Sequence, residues 1–402
     1  MKELKKGFMI SIIGVLLCCT TGCWDKNELN QLAIGELVGA DQDPDTGKQI
    51  VYYQIVNPDA VAIQKGGGIK APVYTYRVEA DHISELGAKT SNLLPRKLFS
   101  DHYQSEIVTE RYARQGIISL LNFFEKQHNR RSNIYLFITD SPLSDVMMTY
   151  LPLERLPGRS LRSIIEIQSQ ITGRLSKRVR VKDLVENMES SKLTVLPMIS
   201  LNGPGPSPST SRYEHISGNQ GNLHFSGGAI LKHDRMIGKL KLDQMDYYFI
   251  LKGDSKVFME SLTIHNHKVA IRAVKPKVWS HLDIVSGEPV WKVDIRTKLM
   301  IVNNEQKEDL TLANLDIIKE TFKQQVFQKM NEFYQESVRQ GWDLFGLEEK
   351  IKYQNGKEWD LIKKKENILG KTKLQLSIQC EITDIGQIIN PYTGENDGNS
   401  SN

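Results

Sequence analysis

Hydrophobic and polar positions in this chain of 402 residues change period every ten residues or so, and each period predicts an element. "AIGELVGADQDPDTGKQIVYYQIVNP", residues 33–58, is an apolar run, an Asp/Pro/Gly turn and a Val/Ile/Tyr-rich run, the pattern of a β-hairpin. "PVYTYRVEA" reads as a strand and leads to a helix from about His82, where Ile83, Leu86, Leu93 and Leu94 share a face. A strand in "HYQSEIVTE", a helix around "GIISLLNFFEK" and a strand in "NIYLFITD" follow. This β-β-β-α-β-α-β order mixes paired neighbours with crossovers, which predicts an α+β or mixed α/β domain. Residues 141–202 read as a smaller unit: amphipathic helices in "SLRSIIEIQSQITG" and "RVKDLVENMES", then the apolar strand "LTVLPMISLNG".

Residues 203–221, "GPGPSPSTSRYEHISGNQG", are too rich in Pro, Gly, Ser and Asn to build a core and are expected to link 23–202 to a second region, 222–388. The second region opens with two short strands and a helix. In "PVWKVDIRTKLMIVN" Trp291, Val293, Ile295, Leu299 and Ile301 share one parity, while Lys292, Asp294, Arg296 and Lys298 share the other, which predicts a half-buried antiparallel strand. A long helix is expected from about 314 to 340, with a stripe of Leu315, Ile318, Phe322, Val326, Met330, Phe333 and Ser337 for the domain's own sheet. Asn314 is its expected N-cap and Gly341 its C′ residue. Leu374, Leu376, Ile378, Cys380 and Ile382 alternate in a last strand, making Cys380 a small hydrophobe. Residues 389–402 are polar and expected to be disordered. The fold class expected is α+β and multi-domain, with mixed or antiparallel sheets packed against helices.

Charge adds a second observation. The net charge is only +4, so nucleic acid is not an expected partner. Part of the excess sits at the start, where Lys2, Lys5 and Lys6 precede an apolar core, 8–19, and the small-residue end Thr20-Thr21-Gly22. These are the three regions of an export signal, and the core is shorter than the roughly 20 residues that span a bilayer. Residues 1–22 are therefore read as a lipoprotein signal peptide, with cleavage before Cys23 and a diacylglyceryl group on its thiol. Thr20 departs from the usual signal, in which Leu is commonest. Of the four cysteines, Cys18 and Cys19 would leave with the signal and Cys23 would be acylated. Cys380 alone would remain free, with no disulfide framework.

Catalytic and metal motifs are missing. There is no G-x-S-x-G, H-E-x-x-H or Walker loop, and "KGGGIK" at 65–70 precedes a strand where phosphate binding needs a helix. "HNH" at 265–267 has two imidazoles but no further ligand, and reads as a turn. "DQDPD" at 41–45 lacks the spaced ligands of a calcium loop and reads as a solvated hairpin turn. No enzyme, cofactor or metal site is expected.

The residues after Cys23 carry a resemblance. "GCWDKNELNQLAIGELVGAD" is similar to the opening of the Ger(x)C family of spore germination lipoproteins at Trp24, Asp25, Lys26, Glu28, Leu29, Leu32, Ala33, Gly39 and Asp41. "YQIVNP" at 53–58, "LPRKLFSDH" at 94–102, "LPMI" at 196–199, "GWDLFGLEEKI" at 341–351 and "KEWD" at 357–360 extend it over nearly the whole chain. Glu36 departs from it, standing in a usually apolar stretch. The resemblance implies a three-domain α+β fold and a non-enzymatic C subunit of a nutrient germinant receptor. It implies integral membrane A and B subunits as partners and the outer face of the inner spore membrane as location. Whether this subunit contacts the germinant is left open. A lipid-anchored solute-binding protein is the alternative.

Overall fold

Strand β1 (Leu32–Gln42) is buried along nearly its whole length, as a strand packed on both faces must be, and the first sheet grows outward from it. The structure is a computed structural model and describes residues 6–7, 28–61, 70–125, 133–151, 153–190, 192–203, 205–206, 208–210, 221–306 and 311–386. All of the expected signal peptide but residues 6–7, Cys23 and the C-terminal tail lie outside these residues, as do most of "KGGGIK" and of the 203–221 segment.

On one side β1 pairs antiparallel with β2 (Gln49–Val56), which pairs with β3 (Val73–Ala80). After helix α1 (Leu86–Leu93) and the short β4 (Lys97–Phe99), which pairs with the start of β1, the chain enters β5 (Ser105–Thr109) on β1's other side. Helices α2 (Glu110–Gln115) and α3 (Ile118–Glu125) lead to β6 (Tyr135–Thr139); α4 (Leu143–Met147), α5 (Pro157–Ile171) and α6 (Val181–Met188) lead to β7 (Leu193–Asn202). Strands β1, β5, β6 and β7 are mutually parallel, which accounts for the helical crossovers between them.

The first sheet continues past the segment expected as a linker. Strands β8 (Asn222–Lys232) and β9 (Arg235–Lys241) were assigned to the second region, yet β8 pairs antiparallel with β7 and β9 with β8, completing a nine-stranded sheet. Asn202 faces Asn222, so residues 203–221 join two arms of a hairpin. The helices of the smaller unit expected at 141–202 pack on the same sheet: Leu161, Ile165 and Leu184 share one core with Leu37, Ile107 and Phe137.

Helix α7 (Leu242–Lys252) leads to a second sheet of order β10 (Val257–Ile264), β11 (His267–Val285), β12 (Glu288–Asn304), β13 (Lys373–Asp384). β12 is antiparallel to β11 but parallel to β13, so only half the expected antiparallel pairing holds. A parallel return needs a crossover, supplied by α8 (Leu312–Arg339), α9 (Leu347–Tyr353), α10 (Lys357–Lys363) and α11 (Ile368–Lys371). The expected stripe of α8 is buried from Ile318 to Ser337, and Phe322 stacks on Phe258 of β10 at 5.9 Å. Its cap is corrected: Thr311 accepts from the Asn314 N–H, which places Asn314 inside the helix. The core under α8 also takes in Leu193, Val195, Ile230 and Leu240 from the first sheet, so the two sheets are packed through common hydrophobic residues.

Candidate functional site

The chain leaves β1 on one side for β2 and β3 and later re-enters on the other side at β5, which makes the β1/β5 gap a topological switch point. In open parallel sheets ligands bind outside the carboxyl ends of strands at such a point. A cleft of about 650 Å³ lies there, at the ends of β1, β5 and β6, lined by Asp41, Thr109, Thr139, Asp140 and Ser141 together with Arg77, Arg111 and Arg114.

Asp41 organises its floor. Expected in a solvated turn, it is buried, and its carboxylate accepts from Arg111 Nε at 2.8 Å, from Arg111 Nη2 and from the Thr109 hydroxyl. The turn proper begins at Asp43, which accepts the backbone N–H groups of Asp45 and Thr46. The cleft's other cations are matched too: Arg77 with Glu79, Arg114 with Glu110 at 2.8 Å. No histidine lines the cleft, and the Ser141 hydroxyl accepts the Leu201 N–H. Such a site can hold a small polar solute by hydrogen bonds.

The other sequence candidates settle as structural features. His265 and Asn266 both have positive φ, in the two-residue turn joining β10 to β11. Among the described residues no group of three His, Cys, Asp or Glu side chains is placed to hold a metal. Cys380 is half-buried on β13, where burial pushes its thiol up to about 11, far from thiolate reactivity at neutral pH. No helix among the described residues is long and apolar enough to cross a membrane.

Glu36 carries more than its sequence position suggested. Buried in β1, it accepts the N–H of Gly158 at 3.0 Å and that of Arg159, so its carboxylate caps α5. Pro157 at the helix start has no N–H to satisfy, and Gly158 is small by necessity: a Cβ there would stand 2.8 Å from the Glu36 carbonyl oxygen. Burial pushes the Glu36 carboxyl up to about 7, against the two amides and the Arg159 charge.

"GWDLFGLEEKI" holds the two sheets together. Gly341, at φ 71°, ends α8, and the N–H groups of Gly341 and Trp342 return to the carbonyls of Val338 and Ser337, a Schellman motif. Trp342 then lies on Gly238 of β9, where a Cβ would come within 2.3 Å of the indole ring. Asp343 accepts the N–H of Leu347 at 2.7 Å and of Glu348 at 2.8 Å, capping α9, and Phe345 packs on Trp291 with ring centres 4.6 Å apart. Arg174, after α5, adds an ion pair at 3.0 Å to Asp246 of α7, whose carboxyl burial pushes up to about 6.

This α+β body, a mixed sheet fused to a helix-covered second sheet, is the class of protein to which two family models correspond. The model of the spore germination protein N-terminal domain matches residues 25–201, and that of the spore germination B3/GerAC-like C-terminal domain matches 226–386. The chain belongs to this Ger(x)C family of spore germination proteins. Three relatives from Bacillus subtilis (strain 168) illustrate the similarity. Spore germination protein KC is 27% identical over 183 residues, spanning 44% of each chain. Putative spore germination protein YfkR is 23% identical over 307 residues, 75% of this chain and 76% of that one. Spore germination protein B3 is 20% identical over 396 residues, 96% and 100%. The crystal structure of the GerBC protein has the same fold, with a TM-score of 0.55 at 16% identity, covering 86% of this chain and 96% of that one.

Proposed function

We propose that this chain is a non-enzymatic, lipid-anchored subunit of a nutrient germinant receptor, acting with integral membrane A and B subunits to trigger spore germination. The supporting observation is the ordered match of both family domains across 25–386. The anchor is the diacylglyceryl group expected on Cys23, and the location is the outer face of the inner spore membrane. Each buried methylene contributes about 0.8 kcal/mol, so two or more acyl chains hold a body on a membrane firmly. Confinement then raises the effective concentration of partners on the same membrane, and a modest interface suffices. Deleting the gene in a strain without redundant receptors is expected to abolish the response to its germinant; a normal response excludes the reading.

The switch-point cleft favours a second reading, in which the chain itself captures a solute. Calorimetric titration with candidate germinants separates the two: saturable heat abolished by Arg111→Gln supports capture, and no heat supports the subunit role alone.

A further inference from the structure

Strand β13 ends the second sheet, and its far edge meets no other strand among the described residues. Over its 12 residues the backbone groups bond only to β12, so every second N–H and C=O along the edge is open to another strand. The sheet's opposite edge is blunted: Gln325 of α8 donates from Nε2 to the Ser261 carbonyl of β10 at 3.1 Å. β13 has no proline, and its pairing with β12 runs without a register shift from Lys373 to Ile382.

The core also thins toward this edge. Trp291, Val293, Ile295 and Leu299 of β12 are buried, whereas their neighbours Leu374, Leu376, Ile378 and Ile382 on β13, with Cys380, are only half-buried. Helix α8 covers this stripe from above, with the Lys319 carbonyl 4.0 Å from the Cys380 Sγ, and nothing described covers it from the side. A further strand laid along the edge would complete both the hydrogen-bond ladder and the apolar layer.

The residues of β13 are complementary to their own reverse. A two-fold axis pairs antiparallel strands so that odd positions face odd and even face even. With Ser377 on the axis, Leu374 faces Cys380 of the copy, Leu376 faces Ile378, Gln375 faces Gln379, and Lys373 faces Glu381. An axis at Ile378 sets Lys373 against Thr383 and Glu381 against Gln375; one at Leu376 sets Lys373 against Gln379. Within each chain Lys373 meets Glu288 at 2.6 Å and Glu381 stands beside Lys298, so pairing at Ser377 joins the four charges in alternating sign.

We propose that a second copy of this chain occupies the edge, β13 pairing antiparallel with β13 of the copy about Ser377, so that two four-stranded sheets become one of eight strands. The proposal does not depend on the germinant-receptor reading.

The test uses the full-length chain in mild detergent with all four native cysteines changed to Ala, which removes lipidation from the result. Directly opposed residues have Cα atoms about 4.5–5.5 Å apart, within disulfide range, so Ser377→Cys is expected to link to its copy on oxidation. Gln375→Cys, about 14 Å from its own copy along the strands, is expected not to link to itself but to link to Gln379→Cys when the two are mixed. Sedimentation of the chain with its native cysteines, kept reduced, gives a second measurement. Lys373→Glu and Glu381→Lys are each expected to weaken the dimer about tenfold or more, and mixing the two variants is expected to restore it. A monomer at about 100 μM, equal linking at 375 and 377, or no restoration on mixing overturns the proposal.

Discussion

Glu36 interrupts an apolar strand and would be expensive to bury if α5 did not start beside it. Its folded pKa of about 7 lies above the ordinary 4.5, so the folded state holds an extra proton between those values. Stability from this group is complete below about pH 4.5 and is lost as pH rises through 7; the shift corresponds to about 3 kcal/mol. Asp246, pushed up to about 6, acts with the same sign over a lower window. Between pH 5 and pH 8 the wild-type unfolding midpoint is expected to fall further than that of Glu36→Gln, and parallel curves would show that the carboxyl does not titrate there. Gly158→Ala sets a methyl against the Glu36 backbone and is expected to cost about 1–3 kcal/mol in denaturant unfolding. The sequence marked Glu36 as out of place, yet its partners are 122 and 123 positions away. No local pattern carries such a distance.

The long helix α8 shows what periodicity conveys at the scale of an element. Its buried stripe and its stop at Gly341 follow from spacing and from glycine's access to positive φ. Its start does not follow from spacing, because Asn314 and Thr311 are both good caps, and the choice between them depends on where the backbone turns extended, which Thr311 does at ψ 165°. Thr311→Ala is expected to cost about 1 kcal/mol, read as a shift in the urea midpoint with unchanged slope. Phe322, fully buried against Phe258, is expected to cost about 3–5 kcal/mol when changed to Ala, and a loss below 1 kcal/mol would refute its docking on β10.

At the scale of the whole molecule, the 203–221 segment looked like a boundary between independent domains. The sheet crosses it: β8 and β9 complete the first sheet, and Leu193 and Val195 reach into the second core. A fragment ending at residue 202 leaves the edge of β7 unpaired and is expected to self-associate in sedimentation experiments. One ending at 241 keeps that edge covered and is expected to be less prone to association. If both behave alike, the hairpin is not what protects the edge. The membrane anchor is tested at this scale as well: Cys23→Ala is expected to move the protein from the membrane to the soluble fraction, and full retention would exclude lipidation at that residue.

By itself the sequence determined the kinds and order of elements, the faces they bury, the family and the lipidation candidate. These rest on short-range periodicity, turn chemistry and motifs contiguous along the chain. Only the tertiary structure decided that the presumed linker lies inside a hairpin, that Asp41 is buried under Arg111 and that Glu36 caps a distant helix. Each depends on strand order and on contacts between residues far apart in sequence. "LLCCTTGCWDKNEL" marks where the chain would be anchored, but the packing of two sheets about "GWDLFG" determines what that anchor would hold.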